Sequence, residues 1–161
     1  MKHKKSAFTM IELVFVVVII GILAAVAIPR LSATRDDAVI TKARTTIASI
    51  RNALAMERQK RILRGEFAQI TAVGDSTNVF GNFYVGAIDT NQSVLEYPIT
   101  SEPNKKERWS FSGGTGKNGR DQYIFKSTLG DVEFEVVSGK FECDTTKTNN
   151  TNANGCKQLT N

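Results

Sequence analysis

The sequence has 161 residues, room for one ordinary domain and an appendage but not for two full domains, so a multidomain machine is excluded. Apolar residues make up 41% and charged residues 23%, a globular balance, with a formal net charge of +5. Three of those charges, Lys2, Lys4 and Lys5, precede the first apolar run, which removes most of the support for a nucleic-acid binder, and the single histidine, His3, lies in the same leader, which excludes histidine chemistry from the rest of the chain.

In chain order, Leu13 to Ile28 contains no polar side chain. A basic start followed by such a run fits a secretory signal peptide, with Ala25-Val26-Ala27 as its cleavage site. Against this, Glu12 stands at the entrance of the run and Pro29 would follow the cut. An ordinary signal anchor is the second reading, since Phe8 to Ile28 is long enough for a bilayer core that takes about 20 helical residues. It leaves Glu12 unexplained, and a carboxylate in hydrocarbon costs roughly 2.5 kcal/mol or more.

The third reading is a family resemblance. Lys5-Ser6-Ala7-Phe8-Thr9-Met10-Ile11-Glu12-Leu13 and the apolar run after it resemble the class III signal of type IV pilins and pseudopilins. In that family a short basic leader is cut before a residue that is usually Phe, a Glu stands at the fifth position of the mature chain, and a Pro lies near the twenty-second. Phe8, Glu12 and Pro29 satisfy all three registers. Ala7 departs from the pattern, because the family usually has Gly before the cut. The resemblance implies cleavage between Ala7 and Phe8 by prepilin peptidase, N-methylation of Phe8, and pairing of the Glu12 carboxylate with the terminal amine of a neighbouring subunit. Such pairing is what a charge in apolar surroundings needs in order to persist; a Glu snorkelling at the membrane interface is the competing account. The apolar segment would span the inner membrane in the monomer and pack helix to helix in a filament. Gly21, Ala24, Ala25 and Ala27 offer small faces for that packing, or are simply apolar filling.

Beyond the membrane segment, Pro29 should kink or locally open the helix by removing a backbone donor. Ile40, Ala43, Ile47, Ile50 and Leu54 then recur at alternating steps of three and four, a one-sided stripe opposite Arg35, Asp36, Lys42, Arg44, Thr45, Arg51 and Asn52. The stripe is too short for a coiled coil. Gly65 follows the charge-rich Glu57 to Arg64 and marks a stop. The spacing predicts one helix over about 8–64, with 8–31 as the membrane and filament-core half and 32–64 as the amphipathic half.

From Glu66 onward short β-like pieces alternate with Gly, Asn, Asp and Ser. The predicted strands are Asn82 to Ala87, Val94 to Ile99, Arg108 to Phe111, Gln122 to Lys126, Val132 to Val137 and Lys140 to Cys143, with Ser138-Gly139 as a tight hairpin turn. Glu133 and Glu135 alternate with Val132, Phe134 and Val136 and read as a solvated strand face rather than a catalytic pair. The fold class is therefore α+β, a long N-terminal helix laid on a small antiparallel sheet, which matches the pilin fold. By that match residues 65–161 form the globular domain and 65–93 its variable loop.

Cys143 and Cys156 bracket a polar segment too poor in apolar residues to order itself by burial. In an exported domain they read as a disulfide closing the loop 143–156 rather than as metal ligands. Gly114 to Gly119 matches G-x-G-x-x-G but leads into a strand, so it reads as a hairpin loop, and Gly116-Lys117 lacks the rest of a phosphate loop. Asp89-Thr90-Asn91-Gln92-Ser93 contains N-x-S and makes Asn91 a candidate glycosylation site, against the plainer reading of a polar turn. The cluster Arg58, Lys60, Arg61 and Arg64 reads as a solvated helix end; DNA contact is not indicated.

The sequence thus leads to a non-enzymatic filament subunit with no cofactor and no metal. Its expected partners are copies of itself and other pilins, prepilin peptidase, an inner-membrane assembly platform, and the inner membrane that holds the precursor. The reading is a subunit of a surface type IV pilus for twitching, adhesion or DNA uptake, with a periplasmic pseudopilus of type II secretion or competence as the alternative. The C-terminal cysteine loop leans towards the pilus. A membrane-anchored solute-binding or enzymatic domain is the reading from another class.

Overall fold

The computed structural model describes residues 8–114, 119–127, 130–145 and 150–160, without the side chains of 32, 33 and 150–152. The leader with Ala7 and most of the Gly114 to Gly119 motif lie outside these residues. Helix α1 runs Met10–Leu63, followed by β1 (Asn82–Val85), β2 (Ile88–Ser93), β3 (Trp109–Ser112), β4 (Gln122–Ser127), β5 (Gly130–Val137), β6 (Lys140–Cys143) and α2 (Asn150–Thr160). The chain divides into two compact units, one up to Ala38 and the other from Val39 onward.

In the first unit the apolar run is exposed almost throughout. Pro29 lies inside α1, where its ring offers no N–H to the carbonyl of Ala25.

In the second unit the predicted stripe does what its period implies. Ala43, Ile47, Ile50 and Leu54 are buried and share one core with the sheet. α1 stops at Gly65, whose φ of 78° is a left-handed value that glycine adopts freely. There the Glu66 N–H donates to the Arg61 carbonyl and the Gly65 N–H to that of Ile62, both at 2.9 Å, the paired bonds of a Schellman stop.

Strands β3-β4-β5-β6 form an antiparallel four-stranded sheet in that order. Its register places Trp109, Phe125 and Val132 in one row, Phe111, Tyr123 and Phe134 in the next, and Val136 beside Phe141. These residues make up the inner face, and their rings interlock. Phe80 stacks on Tyr123 at 5.6 Å and meets the Trp109 edge at 5.0 Å, while Phe134 stacks on Phe141 at 5.1 Å. The buried Tyr123 hydroxyl accepts a hydrogen bond from the Val73 N–H at 2.9 Å, tying the segment after α1 to the sheet. Burial holds that phenol well above its ordinary pKa. At the β5–β6 turn Ser138 and Gly139 have φ of 51° and 74°, so the hairpin expected there forms with both central residues left-handed.

Three expectations are corrected. Val94 to Ile99 is not a strand: Tyr97-Pro98 breaks the run, and β1 instead pairs with the polar Ile88–Ser93 across Gly86. The segment between the cysteines is not without order, because α2 begins at Asn150 and buries Gly155, Cys156 and Leu159. Glu135 is not a solvated strand residue; it is buried, 3.6 Å from Arg120, beside Gln122. The alternation identified the sheet face correctly, but a carboxylate on an outer face can still be covered when a neighbouring cation reaches it.

Candidate functional site

The N-terminal helix carries the feature the sequence singled out. Thr9 and Glu12 close a reciprocal cap at its start. The Glu12 N–H donates to Thr9 Oγ1 at 3.3 Å, while the Thr9 N–H and hydroxyl donate to Glu12 Oε2 at 2.9 and 2.8 Å. Two backbone donors at the start of the helix that would otherwise lack a partner are thereby satisfied within the chain. Oε1 takes no hydrogen bond among the described residues. Thr9-Met10-Ile11-Glu12 carries the Thr-x-x-Glu signature of such a cap, a local signal present in the sequence itself. After the cap, Leu13, Val16, Ile20, Leu23 and Ile28 all stand exposed, and α1 is long and apolar enough to cross a membrane. An apolar surface of this extent has to be covered by lipid or by protein.

At the other end of the chain, Cys143 and Cys156 are bonded, with Cα atoms 5.8 Å apart. The bond clamps α2 to the end of β6. Gly155 lies so close to Val132 on β5 that a Cβ would strike the valine methyl. Arg44 Nε on α1 donates to the Gln158 carbonyl at 2.7 Å, and Arg51 Nε donates to the Phe141 carbonyl at 3.1 Å. Sequence reasoning missed these two arginines as braces: both fall on the polar side of the stripe, and nothing in the spacing reveals which carbonyl each will find.

The remaining candidates separate. Asn91 is exposed at a bulge in β2 with φ of 53°, its N–H bonded to Asp89 Oδ1 at 2.8 Å. Asp89 is held below the usual carboxylate range, first by the hydrogen bond from the Asn82 side chain and then by the Asn91 N–H. The adjacent Tyr84 phenol is raised by burial and by the carboxylates of Asp89 and Asp75. The basic cluster at the end of α1 is largely committed within the domain: Glu57 is buried and lies 3.6 Å from Lys60 and 3.4 Å from Arg64, and Arg61 is itself buried and lies 3.3 Å from Glu66. Gly114 donates its N–H to Asp121 Oδ1, and the motif it opens connects two antiparallel strands rather than a strand and a helix. Among the described residues no three His, Cys, Asp or Glu side chains gather where they would hold a metal ion.

A family model described as the prokaryotic N-terminal methylation motif matches residues 2–28. The chain is 44% identical over 55 residues to the type II secretion system core protein G of Pseudomonas aeruginosa, covering 34% of this chain and 39% of that protein. It is 40% identical over 55 residues to the protein of the same name from Aeromonas hydrophila, covering 34% and 38%. The matched stretch therefore spans about two fifths of those relatives. No solved structure matches the chain.

Proposed function

The chain belongs to the type IV pilin and pseudopilin superfamily, and from that premise we propose that it is a structural subunit of a pseudopilin-type filament, polymerised through α1. The observation that carries the reading is the continuous apolar surface of α1 behind a capped Glu12, in the segment that the methylation-motif model matches. Both relatives bear the name of a secretion-system core protein, and this favours a secretion pseudopilus. A surface pilus is the second reading, favoured by the disulfide that clamps α2.

The physical sequence follows from the residues. The precursor sits in the inner membrane through Phe8 to about Leu31, with the domain from Val39 onward on the periplasmic side. Prepilin peptidase cuts between Ala7 and Phe8 and removes the three leader lysines, and methylation then modifies the new Phe8 amine. On assembly, helix neighbours replace lipid around Leu13 to Ile28, and small residues such as Gly21 allow close approach. The Phe8 amine of one subunit would otherwise enter that apolar core unpaired. Glu12 of a neighbour, with Oε2 already fixed by Thr9 and Oε1 open, supplies the counter-charge. In this reading Pro29 marks where the helix is most easily bent.

Processing is the first test. Mass spectrometry of the mature chain should find Phe8 at the N-terminus carrying a methyl group, and cells lacking prepilin peptidase should keep residues 1–7 attached and form no filament. A mature N-terminus at Ile28 would instead establish a secreted protein and end the filament reading.

A further inference from the structure

The segment after β2 makes a sharp outward corner. Val94 is buried, and Leu95 and Ile99 pack against the core. The Val79 N–H donates to the Ile99 carbonyl at 2.8 Å, and Thr100 bridges to Asn78. Between these anchors Glu96 and Tyr97 are exposed, Tyr97 at 80%, and the following Pro98 restricts the Tyr97 backbone to extended conformations. Glu96 has no partner among the described residues. An exposed aromatic beside an unpaired carboxylate has the chemistry of an interface anchor.

The opposite edge of the sheet carries a groove of complementary charge. Between α1 and β6 runs an open groove of about 400 Å³, floored by Leu54 and Phe141 and left roomy by the small Ala55. Its rim holds Arg51, Arg58 and Lys140 against the single carboxylate of Glu142. Arg51 is already braced on the Phe141 carbonyl, while Arg58 and Lys140 reach no partner among the described residues. The rim is thus cationic, and it faces an apolar floor that an aromatic ring would cover.

We infer that the Glu96–Tyr97 corner of one copy seats in the α1–β6 groove of a second copy, with Tyr97 over Leu54 and Phe141 and Glu96 on Arg58. The inference rests on the filament reading above and names one lateral contact within it. Topology supports a copy of the same chain as the occupant. The corner leads into a segment running along β3, where the Glu102 N–H meets the Trp109 carbonyl at 3.0 Å and the Phe111 N–H meets Ser101 Oγ at 3.1 Å. The groove borders β6, and the order β3-β4-β5-β6 puts the two features on opposite edges of one sheet. A contact between unlike patches repeats from copy to copy and, where its rotation does not close into a ring, generates an open helix rather than a twofold pair.

The test uses the full chain, expressed with its peptidase and assembly machinery, and measures sheared filament against membrane-bound subunit. Glu96→Arg and Arg58→Glu, both at exposed positions, should each lower filament yield about tenfold. The double variant should recover to within about twofold of wild type, because the pair is restored in reverse. Tyr97→Cys combined with Ala55→Cys should give oxidised ladders of dimers and higher species in the filament fraction and none in the membrane fraction. Normal yield in both charge variants, or a double variant no better than either single one without ladders, overturns this contact while leaving the filament reading in place. Absence of wild-type filaments overturns the filament reading itself, and the contact with it.

Discussion

Replacing Cys143 and Cys156 with serine should release α2 while leaving the sheet folded. The bond joins positions 13 residues apart, and closing a loop of about that size contributes roughly 3 kcal/mol by restricting the unfolded chain. What remains to hold α2 is modest. Burial of Leu159 contributes about 2 kcal/mol, and the Arg44 bond to the Gln158 carbonyl about 1 kcal/mol. Against this stands a helix of 11 residues that includes Asn150, Thr151, Asn152, Asn154, Gly155 and Thr160, all poor helix formers, in a length range where isolated helices are marginal in water. The sheet core of Tyr123, Phe134, Phe141 and Trp109 lies largely outside this account and should survive. Amide hydrogen exchange on the detergent-solubilised full chain separates the two regions. Residues 150–160 should lose protection in the double serine variant while β4 and β5 keep theirs. Protection of α2 unchanged from wild type would refute the reasoning, because it would mean that packing alone suffices.

Two further perturbations follow from the core. Gly155→Ala would gain about 1 kcal/mol at an exposed helical position, but here its methyl meets Val132, so it should destabilise by about 1–3 kcal/mol in chemical denaturation and recover partly when combined with Val132→Ala. Tyr123 has a folded pKa raised above its unfolded value of about 10, so its contribution is complete below that pH and is lost as pH rises towards the folded pKa. Wild type should therefore lose roughly 1.4 kcal/mol of stability per pH unit above about pH 10 from this group. Tyr123→Phe should start about 1–3 kcal/mol less stable, with the Val73 N–H unsatisfied, and show a shallower alkaline slope.

Much of this architecture was legible because it depends on periods and punctuation. The stripe from Ile40 to Leu54, the Gly65 stop and the Ser138-Gly139 hairpin follow from side-chain type at fixed spacing, and the bonding of Cys143 to Cys156 from two cysteines closing a polar loop in an exported domain. What escaped depends on which group lies opposite which. The polar Ile88–Ser93 forms a strand against β1, and Glu135 is buried within 3.6 Å of Arg120. α2 forms from a sequence of low helix propensity because a covalent bond and Leu159 hold it against β5. At the N-terminus the cost of Glu12 singles it out, while its partner Thr9, three residues earlier, is legible only through the local Thr-x-x-Glu capping pattern.

That cap also selects the substitution for the decisive measurement. Gln is accepted at the same cap position as Glu, so Glu12→Gln keeps the helix start and removes only the charge. The ratio of sheared filament to membrane-bound, correctly cleaved subunit should then collapse, because an unpaired buried amine costs on the order of 3–5 kcal/mol, while the membrane pool stays full or rises as the insertion cost of the carboxylate disappears. Filaments from Glu12→Gln at the wild-type ratio would contradict assembly through this residue.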